Sequence, residues 1–379
     1  MVKSNWRVSV RKDPKDVARL VGVGSGDLER SPFQRAQWLE TWFGSFASEK
    51  PAEFCAATIE DAETGEAVFV LPLMVEHRGG IARLKAWDRG VSDYNGPVLS
   101  KRFSPSVADM NVLWADLLHA LPPADVIELE KVPTHIGEID NPLMGIEGVR
   151  QSSFARHPLP LDDDFEKLAS SRFNPSHRRT LAKKRKKLQN KGRLEFSLEG
   201  GAAALSTLDL ILAWRERRFA DENVAEEAAK VGAFYRSLCE HTDIARVGRL
   251  TLDGEIIAGC FGTLTGDTFQ LLAVAHDGRY KNWSPGLLAI ESSIALLCAS
   301  GVTVYDFTIG SEPYKFDFGV EVERLYELQT PLSTKGQIYV RLRNLYRRMK
   351  PIVDRVRARL SRGSATQGPT APTSTGEDG

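Results

Sequence analysis

The sequence predicts a mixed α+β fold in two successive domains, followed by a basic amphipathic helix and a disordered tail. Three observations predict it. The chain has 379 residues, room for two domains of about 100–200 residues each. Alternating strand patterns and helical spacings interleave along both halves, so neither an all-α nor an all-β pattern fits. Ser153–Asp164, with Pro158, Pro160 and three consecutive aspartates, reads as a connector between the halves. The expected boundaries are therefore 1–160, 161–334, a helix over 335–362 and a tail over 363–379.

In the first half, Ser31-Pro32-Phe33 predicts a helix start, with Ser31 as the cap and Pro32 at the first helical position. Trp38, Leu39 and Trp42 follow at helical spacing. Ala52–Ile59 and Ala67–Val75 read as two strands of a hairpin around Asp61, Thr64 and Gly65. Leu84–Trp87 and Val98–Leu99 flank the polar loop DRGVSDYNG, which contains Asp88, Asp93, Tyr94 and Asn95. Pro105–Leu121 reads as a helix and Asp125–Leu129 as a strand.

The second half is more regular. After Phe165–Ser170 comes SHRRTLAKKRKKLQNKGR, Ser176–Arg193, with nine cations and no acid. As a helix over His177–Asn190 it aligns Leu181 with Leu188, a stripe wide enough for one edge to rest on a domain. Arg193–Leu198 reads as a strand, and Leu205–Phe219 and Glu226–Cys239 as helices. Ala245–Leu252, Ile256–Thr263 and Thr268–Ala275 read as three strands joined by tight turns at Asp253-Gly254 and Thr265-Gly266-Asp267. Ser284–Ser300 carries Leu287, Ile290, Ile294 and Leu297 on one helical face and stops at Gly301. Val302–Phe307 and Glu323–Thr330 read as strands. The stripe Ile338, Leu342, Leu345, Met349, Val353, Val356 and Leu360 marks the basic helix, with a bend expected at Pro351. The Ser/Thr/Pro/Gly-rich end lacks the apolar residues to order itself.

Composition narrows the function. Basic and acidic residues number 50 each, for a formal net charge of zero, so any nucleic-acid contact must be local. Cys55, Cys239, Cys260 and Cys298 are far apart, without a CxxC pair or a Cys/His cluster. That pattern predicts no metal site, no disulfide framework and a reducing compartment. The N-terminus has no continuous apolar core for a signal peptide, and no apolar run reaches the roughly 18 residues of a membrane span. The expectation is a cytoplasmic protein. There is no G-x-S-x-G, H-E-x-x-H or P-loop, and GVGSG at Gly22–Gly26 lacks the third glycine of a dinucleotide fingerprint.

A crossover helix between Thr268–Ala275 and Val302–Phe307 lets those strands lie parallel. The order strand, two helices, three antiparallel strands, helix, strand resembles the GNAT acyltransferase fold. The residues sharpen the resemblance. VAHDGRYKNWSPG, the following apolar helix and YDFTIGSEPYKFDFG are similar to the FemAB-like branch, as are the basic stretch and SPFQRAQWLETWF. That branch includes peptidyltransferases and acetyltransferases linked to bacterial polysaccharide biosynthesis. The resemblance implies two GNAT-like domains in tandem, with acetyl-CoA or another acyl-CoA as co-substrate.

Independently of family, Ser284-Pro285-Gly286 opens a helix whose first N–H groups lack partners and carry partial positive charge, a ready anion site. Arg279 and Lys281 add charge nearby. The resemblance puts the donor pyrophosphate at Ser284, Gly286 and Leu287 and its pantetheine arm along Leu272, Ala273 and Val274. The turn carries one glycine where GNAT proteins usually have several. Acyl transfer needs a proton path and oxyanion stabilisation. Asp306 or Glu312 is the expected proton acceptor, Tyr314 the proton donor to the leaving thiolate, and Lys315 the charge stabiliser. Asp93 and Tyr94 are expected to line the acceptor side.

Two other readings stand beside a CoA-dependent transferase acting on a small-molecule or glycan amine or hydroxyl. One is an aminoacyl-tRNA-dependent peptidyltransferase, for which tRNA would be the exceptional nucleic-acid partner. The other is a non-catalytic adaptor of a membrane-bound polysaccharide synthase, whose basic helix would lie on the inner-membrane surface.

Overall fold

The computed structural model describes residues 5–22, 28–48, 53–217 and 222–363. The first half contains β1 (Trp6–Arg11), α1 (Pro14–Gly22), β2 (Leu28–Glu29), α2 (Ala36–Phe46), β3 (Glu53–Asp61), β4 (Ala67–Arg78), β5 (Ile81–Ala86) and β6 (Val98–Ser100). It continues with α3 (Val107–Ala120), β7 (Val126–Val132), the small pair β8 (His135–Ile136) and β9 (Ile139–Asp140), and β10 (Val149–Pro160). The second half contains α4 (Phe165–Arg172), α5 (Pro175–Gln189), β11 (Leu194–Glu199), α6 (Leu205–Glu216), α7 (Glu222–His241), β12 (Ala245–Leu252), β13 (Glu255–Thr265) and β14 (Thr268–His276). Then follow α8 (Pro285–Cys298), β15 (Val304–Ile309), α9 (Pro313–Asp317), β16 (Glu323–Pro331) and α10 (Thr334–Gly363).

The mixed α+β prediction holds, with one 14-stranded sheet running through both halves. Its main path is β1-β3-β4-β5-β7-β16-β10-β15-β14-β13-β12-β11, with β6 paired to β4 and β2 to β6. Strand β16 sits between β7 and β10 and pairs antiparallel with both, so the sheet crosses residue 160 without a break. The parallel pairing expected across the crossover helix is present between β14 and β15.

The supposed connector at 153–164 is mostly strand. Pro158 follows a lapse in regular pairing, where the register against β15 shifts between Arg156 and Pro158, an irregularity that proline tolerates; Pro160 is the strand's last residue. Ser31 does not cap α2. It precedes a 3-10 turn at Pro32–Gln34, and its hydroxyl bonds the Gln34 side chain. Strand β1 was not anticipated; it pairs with β3 at the sheet's edge. GVGSG beyond Gly22, Phe219 and the tail over 364–379 lie outside the described residues.

Two helical layers cover the second half. Helices α6 and α7 bury Leu208, Ile211, Phe234 and Tyr235 on one face, in a cluster shared with Trp38 and Trp42 of α2. Trp38 meets Phe234 edge to face at 4.9 Å between centroids, so the halves share one core as well as one sheet. On the other face α8 packs Leu288, Ile290 and Ile294 with Phe307, Phe318 and the Leu181/Leu188 stripe of α5. A third cluster sits under α3 in the first half.

Helix α10 continues through Pro351 to Gly363. It docks through its charged side: Arg343 pairs with Glu128 and Glu130, and Arg347 with Glu327. Its first turn is held by Asp125, whose carbonyl accepts from Leu332 N at 2.8 Å and whose carboxylate accepts from Ser333 Oγ at 2.7 Å. Gly336 lies against the same carbonyl, and a Cβ there would overlap the oxygen. Gly336→Ala should therefore lower stability by about 1–3 kcal/mol through overpacking, outweighing the roughly 1 kcal/mol that alanine gains in helix propensity. Urea unfolding measures this, and wild-type stability in the variant would contradict the docking.

Candidate active site

The site begins where two parallel strands part. Strands β14 and β15 pair only at Thr268–Val304, Phe269–Tyr305 and Gln270–Asp306. Beyond that register the strands diverge into a V. At its vertex Thr308 has φ 58°, a left-handed conformation that is an outlier for a β-branched residue. It is held there on two sides. Its N–H donates to Asp306 Oδ1 at 2.8 Å, and its hydroxyl donates to the Leu271 carbonyl at 3.1 Å. Backbone strain of this kind marks functional sites where the surroundings over-determine it.

The far end of β14 meets the turn into α8. A pocket of about 190 Å³ opens there, lined by Val274, His276, Lys281, Ser284, Gly286, Leu287 and Tyr314 among others. Ser284 adopts φ 49°, ψ 51° and makes no side-chain cap, contrary to the capping role expected of it. Leu287 and Leu288 N–H groups both return to the Ser284 carbonyl. Pro285 has no N–H, which leaves that of Gly286 as the free donor among the described first-turn groups. A Cβ at Gly286 would meet only Val274 and His276, at 3.5 and 3.6 Å. The missing side chain therefore leaves room in the pocket rather than relieving a clash.

The basic helix reaches this turn. Lys184 donates from Nζ to Ser284 Oγ at 2.6 Å, Arg185 pairs with Glu291 at 2.7 Å, and the Lys191 ammonium lies 5.2 Å from the Trp283 ring centroid. One side of α5 is thus committed to α8, while Arg179, Lys183, Lys186 and Lys187 face solvent.

The first half supplies the other wall. Asp88 accepts from Lys131 at 2.6 Å, from Asn95 and from the N–H groups of Gly90 and Ser92. This locks the loop and delivers Asp93 and Tyr94 to the vertex. Tyr94 donates to Asp306 Oδ2 at 2.8 Å, and the Arg156 guanidinium lies 3.3 Å from that oxygen and over the Tyr94 ring. Asp93 faces Thr308. Burial pushes its carboxyl up to about 6, against the pull of Lys131 and a hydrogen bond with Thr308. Neighbouring Asp88 and Asp306 push it further the same way.

The structure brings the expected residues together unequally. Val274, Ser284, Gly286, Leu287 and Tyr314 share the pocket; Leu272 and Ala273 lie on β14 outside its lining. Arg279 is turned away from it, paired with Asp277 at 2.6 Å and Glu255 at 2.5 Å, so its charge is already answered. Asp306 is buried and bonded on both oxygens, which removes it as a free proton acceptor. Lys315 is also buried, donating to the carbonyls of Phe307 and Ile309 at 2.8 and 2.6 Å and to that of Gly310, so it fastens the end of β15. Glu312 pairs with Lys315 at 3.0 Å; burial raises its carboxyl, but Lys315 outweighs that and leaves it below the ordinary range. Burial, then Glu312, pushes the Tyr314 hydroxyl up to about 12, so it stays protonated at neutral pH.

Residues not singled out from sequence are Lys184, Thr308, Arg156 and the buried Tyr235, whose hydroxyl is raised by burial and by Asp93. Lys184 was indistinguishable within its charge run. Thr308 sits in a strand pattern that gives no sign of a left-handed residue.

Residues 175–316 match the family model described as the acetyltransferase (GNAT) domain. The structure is similar to that of FemX, with a TM-score of 0.58 at 13% identity, covering 89% of this chain and 99% of that one. It is also similar to a conserved protein of unknown function from Bacteroides thetaiotaomicron, with a TM-score of 0.51 at 14% identity, covering 86% of this chain and 100% of that one. At these identities the solved structures establish a shared fold alone. No curated protein matches the sequence significantly. Residues 175–316 thus match a GNAT acetyltransferase domain, and the chain around them shares the fold of FemX.

Proposed function

We propose that the protein transfers an acetyl or other acyl group from a coenzyme A thioester to an amine or hydroxyl. The observation that carries this reading is the V between β14 and β15, with the Ser284–Gly286 turn at its open end. A donor laid along β14 would place its phosphates at the free Gly286 N–H and the α8 dipole, beside Lys281 and Lys184, with its thioester toward Thr308. Asp93, across the vertex, is the proton acceptor in place of Asp306. A carboxyl near 6 is ionised at neutral pH and still basic enough for general-base work. Tyr314, protonated in the donor pocket, hydrogen-bonds the departing sulfur.

Helix α10 supports a membrane-surface location. Ile338, Leu342, Leu345 and Met349 are each at least half exposed and lie on one stripe. Residues 334–363 carry ten Lys or Arg and a single acid, Asp354. A basic helix with a free apolar face suits an anionic bilayer surface. Val353, Val356 and Leu360 extend the stripe in sequence; their side chains lie outside the described residues.

Calorimetry should show acetyl-CoA binding to the wild type, weakened roughly tenfold or more, a loss of about 1.4 kcal/mol, by Gly286→Val at unchanged melting temperature. No binding of any acyl-CoA to the wild type would refute the donor. Thiol release from acetyl-CoA, with water or an added amine as acceptor, tests the base. Asp93→Asn should cut the rate about 100-fold at unchanged acetyl-CoA affinity. The wild-type rate should fall as pH drops through about 6, because protonation removes the base; a flat profile would rule Asp93 out. Co-sedimentation with phosphatidylglycerol vesicles should be lost at high salt and in the Leu342→Glu/Leu345→Glu variant. Equal binding to neutral phosphatidylcholine vesicles would contradict the electrostatic part.

A further inference from the structure

A second cavity, larger than the donor pocket, opens between the two halves. It is a cleft of about 660 Å³, within the range of small-ligand sites. It lies between the segment Glu29–Arg35, the Thr265–Thr268 turn, the loop after β7 and the start of β16. Tyr94, Asp306 and Arg156 form the wall it shares with the vertex of the V.

Four guanidinium groups line it: Arg30, Arg35, Arg156 and Arg324. The carboxylates present are already occupied. Glu29 pairs with Lys101 at 3.1 Å, Asp267 accepts from Thr303, and Asp306 and Glu323 both pair with Arg156. Arg30 donates to the carbonyls of Val21 and Leu28, which satisfy hydrogen bonds without cancelling charge. Arg35 makes no side-chain hydrogen bond or ion pair among the described residues, and its Nε is buried without an acceptor. The Nε of Arg156 is likewise buried without an acceptor, and the exposed Arg324 side chain at the rim has no hydrogen bond or ion pair among the described residues. Burial lowers the pKa of both Arg30 and Arg35, with Glu29 opposing, and the charge of Arg35 lowers Arg30 further. A buried donor without an acceptor and two neighbouring like charges are each unfavourable in the empty cleft. An oxyanion relieves both at once, since guanidinium groups bind phosphate and carboxylate in matching two-point geometry.

We propose that this cleft is an oxyanion site, with Arg35 as its anchor, that seats a phosphate or carboxylate group of the acyl acceptor. The acceptor is then an acidic molecule, held by its anion on one side of the Tyr94–Asp306 wall while its amine or hydroxyl meets the thioester on the other. The assignment to the acceptor rests on the acyltransferase reading; the anion site itself does not.

The experiment is a thermal-shift and calorimetric titration of the full chain with pyrophosphate and with succinate, against chloride at equal ionic strength, with CoA saturating the donor turn. Arg35→Gln and Arg324→Gln are tested in parallel, and acetyl-CoA affinity is measured separately for each. The expected result is binding of at least one oxyanion to the wild type, weakened tenfold or more by Arg35→Gln, with acetyl-CoA affinity unchanged. A preference for pyrophosphate or for succinate identifies the acceptor's acid. Binding no stronger than chloride, or equal binding to Arg35→Gln, would overturn the site while leaving the donor reading intact. Arg35-dependent binding in a protein that takes no acyl-CoA would instead overturn the acceptor assignment and the donor reading together.

Discussion

The buried carboxylate of Asp306 is the interaction on which the site depends. One oxygen accepts the Thr308 N–H at 2.8 Å; the other accepts the Tyr94 hydroxyl at 2.8 Å and faces the Arg156 guanidinium at 3.3 Å. These partners come from a loop of the first half, from β10 and from the next turn of β15 itself. A carboxylate this deep is unfavourable unless its lone pairs are filled, and each bond fixes part of the geometry around the V. The bond to Thr308 holds a β-branched residue in a left-handed conformation, which ends the β14–β15 pairing and opens the V. The bond to Tyr94 draws the Asp88–Asn95 loop against that opening, and so sets Asp93 across from Thr308. The contact with Arg156 answers the charge.

The rest of the architecture keeps this joint rigid. If the halves were hinged, the proposed base on one and the proposed donor site on the other would lose register, and catalysis is sensitive to shifts of about 1 Å. Instead β16 is paired into both halves and Trp38 packs on Phe234. Lys315 extends the same logic past β15. Its ammonium donates to three carbonyls at the strand's end and so fixes the start of α9, where Tyr314 lines the pocket.

Much of the second half was legible in the sequence because its signals are local. Strand alternation, tight turns at Asp253-Gly254 and Thr265-Gly266, and the apolar spacing of Ser284–Ser300 each fix one element without reference to another. The donor turn was legible for the same reason: Ser-Pro-Gly before an apolar run marks a helix start wherever it occurs. What escaped was non-local. Asp306 and Lys315 lie in the motif that suggested catalysis, and only the fold shows that their neighbours from Tyr94 to Gly310 have claimed them. Arg279 looked free for a phosphate until Glu255, on the adjacent strand, took it. The 153–164 segment read as a linker because its pairing partners, β15 and β16, lie about 150 residues further on. Asp93 was visible as a polar loop residue, but the burial that raises its carboxyl is not encoded in any loop sequence.

Charge follows the same rule. A zero net charge gave no sign that cations would be sorted by fold into three settings. On α5 the run is divided by helical geometry, so that Lys184 and Arg185 turn to α8 while their neighbours stay wet. On α10 the division is reversed from the usual surface helix: Arg343 and Arg347 face the sheet's glutamates, and the apolar stripe is left outside. In the cleft, arginines separated by up to nearly 300 residues converge, and while Arg156 takes both Asp306 and Glu323, no carboxylate pairs with Arg35 among the described residues. A residue's charge is thus common to all three places, but its availability is set by which opposite charges the fold brings within reach. Arg279, paired twice, and Arg35, without a side-chain partner among the described residues, are the two ends of that range.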